Sequence, residues 1–509
     1  MSDHKYTKTY LIEQFDDILG LTLEEVDHIG FFKRIEAYAL QKGVAGSLIE
    51  QGVLGYPPDT KQEADLIVID GDKEVKTELK TTGMLVASSP QEHYVAKEPM
   101  SITAVGVYDL PDQQFETSHF WGKLEHMLIV YYQYMFDHPV NAVDYKVFPI
   151  RGYEFHEFSE IEVEGLRQDW ENVRALAEEV VSNHSGERNK EWKEAVKEEY
   201  IEKHGRLRQV LNYVDLAPKF PPRFRLKKPI VSSMIAQHFG YELEQLPGRY
   251  ASLNDVDIKC RELQQKYAGK TVEELVAEFG IAKVDSKSLA EAITVPMFGG
   301  SKKLNQIEMF ERFGLIAKSI TVSSKGKRTE DMKLFHVDFD EVIRTEILDE
   351  NGEVRPISFE DSELYSYFAD HEFLCVLFQE PENISEADKN SILFNKFIGF
   401  KRLVFSDEFI DGAVKKLWDD IRDKVMNKTL IDVVQTDKNG QPKINKSGSV
   451  SSAPNFMKSS ENVVFMRGSG TDSSLVHKTE CVNNIKMLPQ YVWLKGKAVV
   501  EELENIDTL

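Results

Sequence analysis

The sequence predicts an α/β protein with two globular segments, and three observations carry that prediction. Residues 64–83 pattern as two short strands around a turn. Apolar, strand-like runs alternate with helical periodicity, as where Met127 to Phe136 is followed by Phe158 to Lys203. The chain has 509 residues, enough for two or three domains, and words from its first half recur in its second.

Composition narrows the function classes. With 41% hydrophobic and 29% charged residues the chain has an ordinary globular balance, and no apolar run approaches the ~20 residues of a membrane span. Met-Ser-Asp-His-Lys at the start lacks the apolar core of a signal peptide. Cys260, Cys375 and Cys481 are scattered and without metal-ligand spacing, which predicts a reducing, cytoplasmic setting and no zinc site. The formal charge of -23 weighs against a protein coated in basic surface. Net charge speaks to solubility and non-specific association rather than to the field inside a cleft, so the question becomes whether basic residues cluster.

Residues 9 to 50 pattern as helix: Thr22-Leu23-Glu24-Glu25 has capping-box character, and Phe31, Phe32, Ile35, Tyr38 and Ala39 recur at helical spacing. The glycine-containing turn from Lys42 runs into a helix that brings Glu50 ahead of the hairpin, and Pro57-Pro58-Asp59 ends the helical region. In the hairpin, Asp65 opens an apolar β-branched run, Asp70-Gly71-Asp72 supplies the turn, and the second run carries Glu78 and Lys80. Strand side chains alternate, so Glu78 and Lys80 share a face while Leu79 points into the core. With Asp65 leaning to the same end, two carboxylates and an ammonium converge, and hard oxygen ligands suit Mg²⁺. Such a pair can hold an ion against a phosphate while the lysine orients or deprotonates water, the PD-(D/E)xK arrangement of metal-dependent nucleases. Glu-x-Lys alone is also the common pattern of a solvated strand, so the remaining chain has to decide.

Met100 to Tyr108 predicts another strand, and Met127 to Phe136 a buried one with Lys123 just ahead of it, within reach of a phosphate. His119 is a lone histidine and reads as structural. Phe158 to Lys203 is helical around Trp170. Arg206 and Arg208 follow, then a tract from Lys219 to Lys228 with no acid in it. An extended chain there presents Arg223, Arg225 and Lys227 on one face, suited to phosphates, with Lys228 next to them. Pro229 to Phe239 patterns as a closing amphipathic helix. These boundaries predict a segment 1–240, a charged helical connector 241–285 and a second segment 286–509. The last contains a basic cluster at Ser324 to Arg328, a helix from Gly412 to Val425 carrying Trp418, and a polar stretch from Thr436 to Asn462 that reads as a mobile loop.

The words Gly20-Leu21-Thr22-Leu23-Glu24-Glu25, Lys42 to Gly46 through Glu50, Glu78-Leu79-Lys80-Thr81, Glu116-Thr117-Ser118-His119 with Lys123, Asp169-Trp170-Glu171, and Leu226-Lys227-Lys228 through His238-Phe239 occur in one order. In that order they resemble the MutH family, and the whole chain resembles its larger, two-domain type II restriction endonucleases that cut at GATC. The resemblance implies a restriction-endonuclease-like fold. It implies metal-binding carboxylates at Asp65 and Glu78 with the Leu79 carbonyl, a catalytic lysine at Lys80, a supporting acid at Glu50 and a second active-site lysine at Lys123. Two features depart from the family. Asp65 lies thirteen residues before Glu78, where the family has a shorter hairpin, which leaves Asp70 and Asp72 as rivals for the first metal ligand. Arg225 replaces an aromatic residue of the recognition element, and an arginine there could donate a bidentate pair to guanine.

The second segment echoes the first. Pro489 to Lys495 matches Pro221 to Lys227, and Trp418-Asp419-Asp420-Ile421-Arg422 matches Trp170 to Arg174. Around Leu315 to Lys318, Ile316 stands where the acid belongs. The expectation is thus a second MutH-like domain without catalysis, offering a further DNA site. The function expected is Mg²⁺-dependent hydrolysis of double-stranded DNA at GATC, leaving 5′-phosphate and 3′-hydroxyl ends. Its rivals are a repair-type nickase and a DNA-binding protein with a decayed nuclease site. The oligomeric state stays open.

Overall fold

The run Leu66–Asp70 and the longer run Lys73–Val86 pair as antiparallel strands in a computed structural model, with Gly71 and Asp72 between them. Gly71 has φ +62°, a conformation that favours glycine at the first position of a two-residue turn. The structure describes residues 4–35, 43–56, 64–87, 93–136, 140–217, 220–282, 288–327, 330–348, 354–382 and 392–504. Several sequence expectations therefore fall on positions outside the described residues: Tyr38, Ala39, Lys42, Pro57 to Asp59, Lys219 and Arg328.

In chain order the strands around the hairpin are β1 (Lys5–Thr7), β2 (Leu66–Asp70), β3 (Lys73–Val86), β4 (Tyr94–Ala96), β5 (Met100–Ala104), β6 (Met127–Gln133), β7 (Ile150–His156), β8 (Val214–Leu216) and β9 (Arg223–Leu226). The main sheet runs β1-β2-β3-β6-β7, with β4 on the far end of β3, and β5-β9-β8 form a smaller sheet. β3 is antiparallel to β2 and parallel to β6, so the hairpin's second strand is central. One sheet face is closed by α1 (Lys8–Ile18) and the short helix Val44–Leu48: Leu11, Phe15, Leu48, Leu66, Val68, Leu79, Leu128 and Val130 form one buried cluster. Alternation leaves Glu78 and Lys80 on the other face.

Several boundaries differ from the sequence reading. Thr22 and Glu25 make the reciprocal bonds of a capping box, yet they close a turn, and the helices lie on either side at Lys8–Ile18 and Phe31–Ile35. Phe158 to Lys203 is two helices, Glu160–Asn183 and Lys190–Lys203. Ser159 and Asn189 each begin one of them, accepting from backbone N–H groups at the helix start. The strand expected over Met100 to Tyr108 stops at Ala104. The stretch Thr436 to Asn462 folds as a ladder rather than a loose loop: Asp432–Val434 pairs with Ser452–Pro454, and Ile444 bridges Val450. Gly440 and Gly448, at φ +78° and +84°, close its turns, so composition that reads as disorder is here turn chemistry.

Contacts group the chain into two units. One comprises Met1–Lys259, Val295–Ile316 and Leu348–Arg355, the other Cys260–Thr294, Ala317–Ile347 and Pro356–Leu509. This grouping divides the expected connector 241–285 between the two, and it assigns residues 295–316, expected in the second segment, to the first unit. In the second unit, Glu372–Gln379 pairs antiparallel with Lys396–Leu403, and Gln490–Leu494 lies between Met332–His336 and Val464–Gly468. Among the described residues no helix is long and apolar enough to cross a membrane.

Candidate active site

The hairpin register decides which aspartate meets Glu78. Leu66 pairs with Thr77, so Asp65, one residue further out, falls opposite Glu78. Asp70 pairs with Lys73 at the turn, about 17 Å from that end at strand rise. Asp70 is held there by Lys8 at 2.7 Å, and Asp72 is exposed beside it. Asp65 Oδ2 accepts the Leu79 N–H at 3.0 Å. A strand residue's N–H and C=O face the same edge, so the Leu79 carbonyl also faces Asp65.

Glu78 is 3% exposed and takes two ammonium groups, Lys80 on Oε1 at 2.8 Å and Lys123 on Oε2 at 2.6 Å. Lys123 follows the short helix His119–Gly122, which Ser118 caps by accepting the Trp121 N–H. Its Nζ also lies 3.9 Å from Asp65 Oδ1, so one ammonium bridges the two carboxylates. Burial first, and the Glu78 charge second, push the Asp65 carboxyl up to about 6 against the pull of Lys123, the Leu79 N–H and Lys80. Glu50 sits on the π-helical turn Ile49–Val53 that follows Val44–Leu48, within electrostatic range of Tyr56, which also feels Asp65 and Glu78. His119 is exposed and stays outside this group.

The donor set suits a hard divalent cation. Among the described residues no three His, Cys, Asp or Glu side chains converge on a metal position. The two carboxylates that do converge already share a cation in the Lys123 ammonium, which stands in for such an ion. Two carboxylates and a carbonyl are oxygen donors of the kind such an ion takes.

The basic candidates occupy a second region. Arg223 and Arg225 alternate with buried Phe224 and Leu226 on β9, and Lys227 continues their face. The Arg225 guanidinium forks onto Asp215 at 2.7 and 3.0 Å, Arg206 pairs with Glu179, and Lys227 donates to the Leu211 carbonyl at 2.6 Å. Arg208 and Lys228 are half-buried. In this state the forks of Arg206 and Arg225 are turned onto protein acids.

Three features received no role from the sequence. Asp169, fully buried, accepts the N–H groups of Asn212, Tyr213 and Val214 at 2.6 to 2.9 Å and so pins the turn that receives Lys227. Gly165 on the same helix lies against the Tyr213 ring, where a Cβ would come within 2.0 Å of a ring carbon. On the sheet face that carries Glu78, Glu154 accepts from Tyr131 at 2.6 Å and meets His156 and His238 at 3.2 and 3.4 Å. Burial would raise the Glu154 carboxyl, but these partners more than offset it and hold it at about 2.

The sequence profile described as DNA mismatch repair enzyme MutH matches residues 54–169. The type II restriction enzyme Sau3AI of Staphylococcus aureus is 21% identical over 394 residues, covering 71% of this chain and 73% of that protein. Over residues 54–169 the chain is similar to MutH, and over most of its length to a type II restriction enzyme, similarities that indicate a DNA endonuclease. The profile takes in Asp65, Glu78, Lys80 and Lys123, and it leaves Glu50 and the basic candidates outside.

Proposed function

We propose that this MutH-related enzyme is a type II restriction endonuclease that hydrolyses double-stranded DNA at GATC with Mg²⁺, leaving 5′-phosphate and 3′-hydroxyl ends. The observation that carries the reading is Asp65 set opposite Glu78 with two lysines on the same carboxylate. Asp65, Glu78 and the Leu79 carbonyl would hold Mg²⁺, which when bound neutralises charge developing on the scissile phosphate. Lys80, the more exposed lysine, positions the attacking water. Lys123 stabilises a phosphate oxygen, and Glu50 supports the set with further negative charge. Arg206, Arg208, Arg223, Arg225, Lys227 and Lys228 contact the duplex once the acids that now hold Arg206 and Arg225 exchange for phosphates or base edges.

The second segment acts, in this proposal, as a non-catalytic copy that binds a further DNA site. Local structure supports the repeat. Phe115 to Thr117 and Phe359 to Asp361 are matching 3₁₀ turns, and Ser118 and Ser362 bond back to the first carbonyl of each turn at 2.7 and 2.6 Å before capping a helix. Trp170 lies 5.9 Å from Phe115, and Trp418 lies 5.7 Å from Phe359. Ile316 removes the acid that an ion needs in that copy.

Digestion of methylated and unmethylated plasmid, with sequencing of the fragment ends, tests the proposal. Cuts at GATC in both strands with 5′-phosphate ends are expected. Nicks without linear product would favour a repair-type nickase, and intact DNA in Mg²⁺ a decayed site.

A further inference from the structure

From Ile431 to Ala453 the second unit buries no side chain, yet the backbone of this stretch is closely tied. Asp432–Val434 and Ser452–Pro454 form its stem. Beyond the stem three segments meet in a ring of backbone bonds: Gln435 N–H to the Ser451 carbonyl, Ser451 N–H to the Lys443 carbonyl and Lys443 N–H to the Gln435 carbonyl, each at 2.8 Å. Two small hairpins branch from that ring. In one, Asp437 N–H donates to the Gln441 carbonyl and Gly440 turns the chain; in the other, Asn445 N–H donates to the Ser449 carbonyl and Gly448 turns it. The tips carry Lys438 and Lys446, and Lys443 stands at the ring, all three exposed. Ile444 and Val450, paired in the second branch, are 60% and 48% exposed.

The two acids of this stretch are already engaged. Asp432 holds the buried Lys478 ammonium and the Ser452 hydroxyl, each at 2.8 Å, and Asp437 accepts the N–H groups of Asn439 and Gln441 at 2.8 and 2.9 Å. Among the described residues no acid pairs with Lys438, Lys443 or Lys446. They differ in this from Arg206 and Arg225, whose guanidinium groups lie on protein acids. In a chain of charge -23, an exposed element whose uncommitted charges are all positive is a local exception, and its complement is an anion. Lysine, asparagine, glutamine and serine side chains, which fill both branches, are the groups that meet phosphate and sugar along a duplex. We propose that this branched hairpin, Gln435 to Ser451, is the DNA-contacting element of the second unit, with Lys438, Lys443 and Lys446 on phosphates of a duplex; this rests on the proposal that the second segment binds a further DNA site. Ile444 and Val450 give the same element apolar surface that a groove wall covers.

Lys438→Ala, Lys443→Ala and Lys446→Ala, combined in the full-length protein, remove three charges and no contact that the fold uses. The melting temperature should stay within about 2 °C of the parent. Titration with a short GATC-containing duplex in Ca²⁺ should give two binding steps for the parent. In the triple variant one step should weaken about tenfold or more at physiological salt, and its slope of log affinity against log salt should shrink by about 2–3, while the other step is unchanged. A single step in the parent sinks the second-site reading and the hairpin proposal with it. Two steps that both survive the substitutions overturn the hairpin proposal alone. So does an equal fall in both steps, which a loss of charge anywhere on the surface would cause. A parent that dimerises without DNA, beside a variant that stays monomeric, would make a second copy the occupant of this face and overturn the proposal as well.

Discussion

At the scale of single residues, Asp65 shows what it costs a fold to set two carboxylates side by side. Its carboxyl, held at about 6 against an ordinary 3.8, ionises less readily in the folded chain than in the unfolded one. The sign follows from linkage: ionising Asp65 opposes folding at neutral pH, the penalty fades as pH falls from about 6 to about 4, and below that it is absent. Asp65→Asn should therefore melt higher than the parent at about pH 8 in chelator, by the equivalent of roughly 1–3 kcal/mol, with the two curves converging near pH 4. A difference that does not change with pH would contradict this account of the pair. Glu78 and Lys80 were legible from the sequence because an i, i+2 pair on a strand has one possible face. The thirteen-residue spacing that brought in Asp70 and Asp72 as rivals follows from the hairpin itself. Counting outward from the two-residue turn at Gly71-Asp72 puts Asp65 opposite Glu78. The roles of Glu154, His156 and His238 were not legible. Their meaning depends on what packs beside them, and nothing in local periodicity encodes that.

At the scale of elements, the helix Glu160–Asn183 is more than a core support. Through Asp169 it fixes the turn Asn212 to Val214, and that turn receives Lys227 at the head of the helix Lys228–His238. Asp169→Ala leaves three buried N–H groups without an acceptor, and a loss of roughly 3–5 kcal/mol of stability is expected in urea unfolding. A loss under about 1 kcal/mol would mean the turn is held by something else. The sequence marked Asp169-Trp170 as a word without a role, because a buried acid on an otherwise apolar helix face looks like any solvated position until its acceptor bonds are seen. The stretch Thr436 to Asn462 failed in the opposite direction. Lys, Asn, Ser and Gly suggested looseness, but Asn439-Gly440 and the Gly448 turn close short hairpins there.

At the scale of the whole molecule, a charge of -23 coexists with a site and a β-strand where lysines and arginines gather. Acids pair with Arg206 and Arg225, which mutes the positive field of these side chains. Short words recur between the two halves in sequence, and similar local turns occur at Ser118 and Ser362. Residues 295–316 make their contacts with the first unit although they follow residues of the second in sequence. The account's central claim is that the chain cuts DNA at a single site built on Glu78. Single-turnover cleavage of GATC-containing plasmid by Glu78→Ala in Mg²⁺ tests it most directly. The account predicts a loss of about 10³-fold or more in rate with DNA binding in Ca²⁺ retained, whereas cleavage within about tenfold of the parent would contradict it.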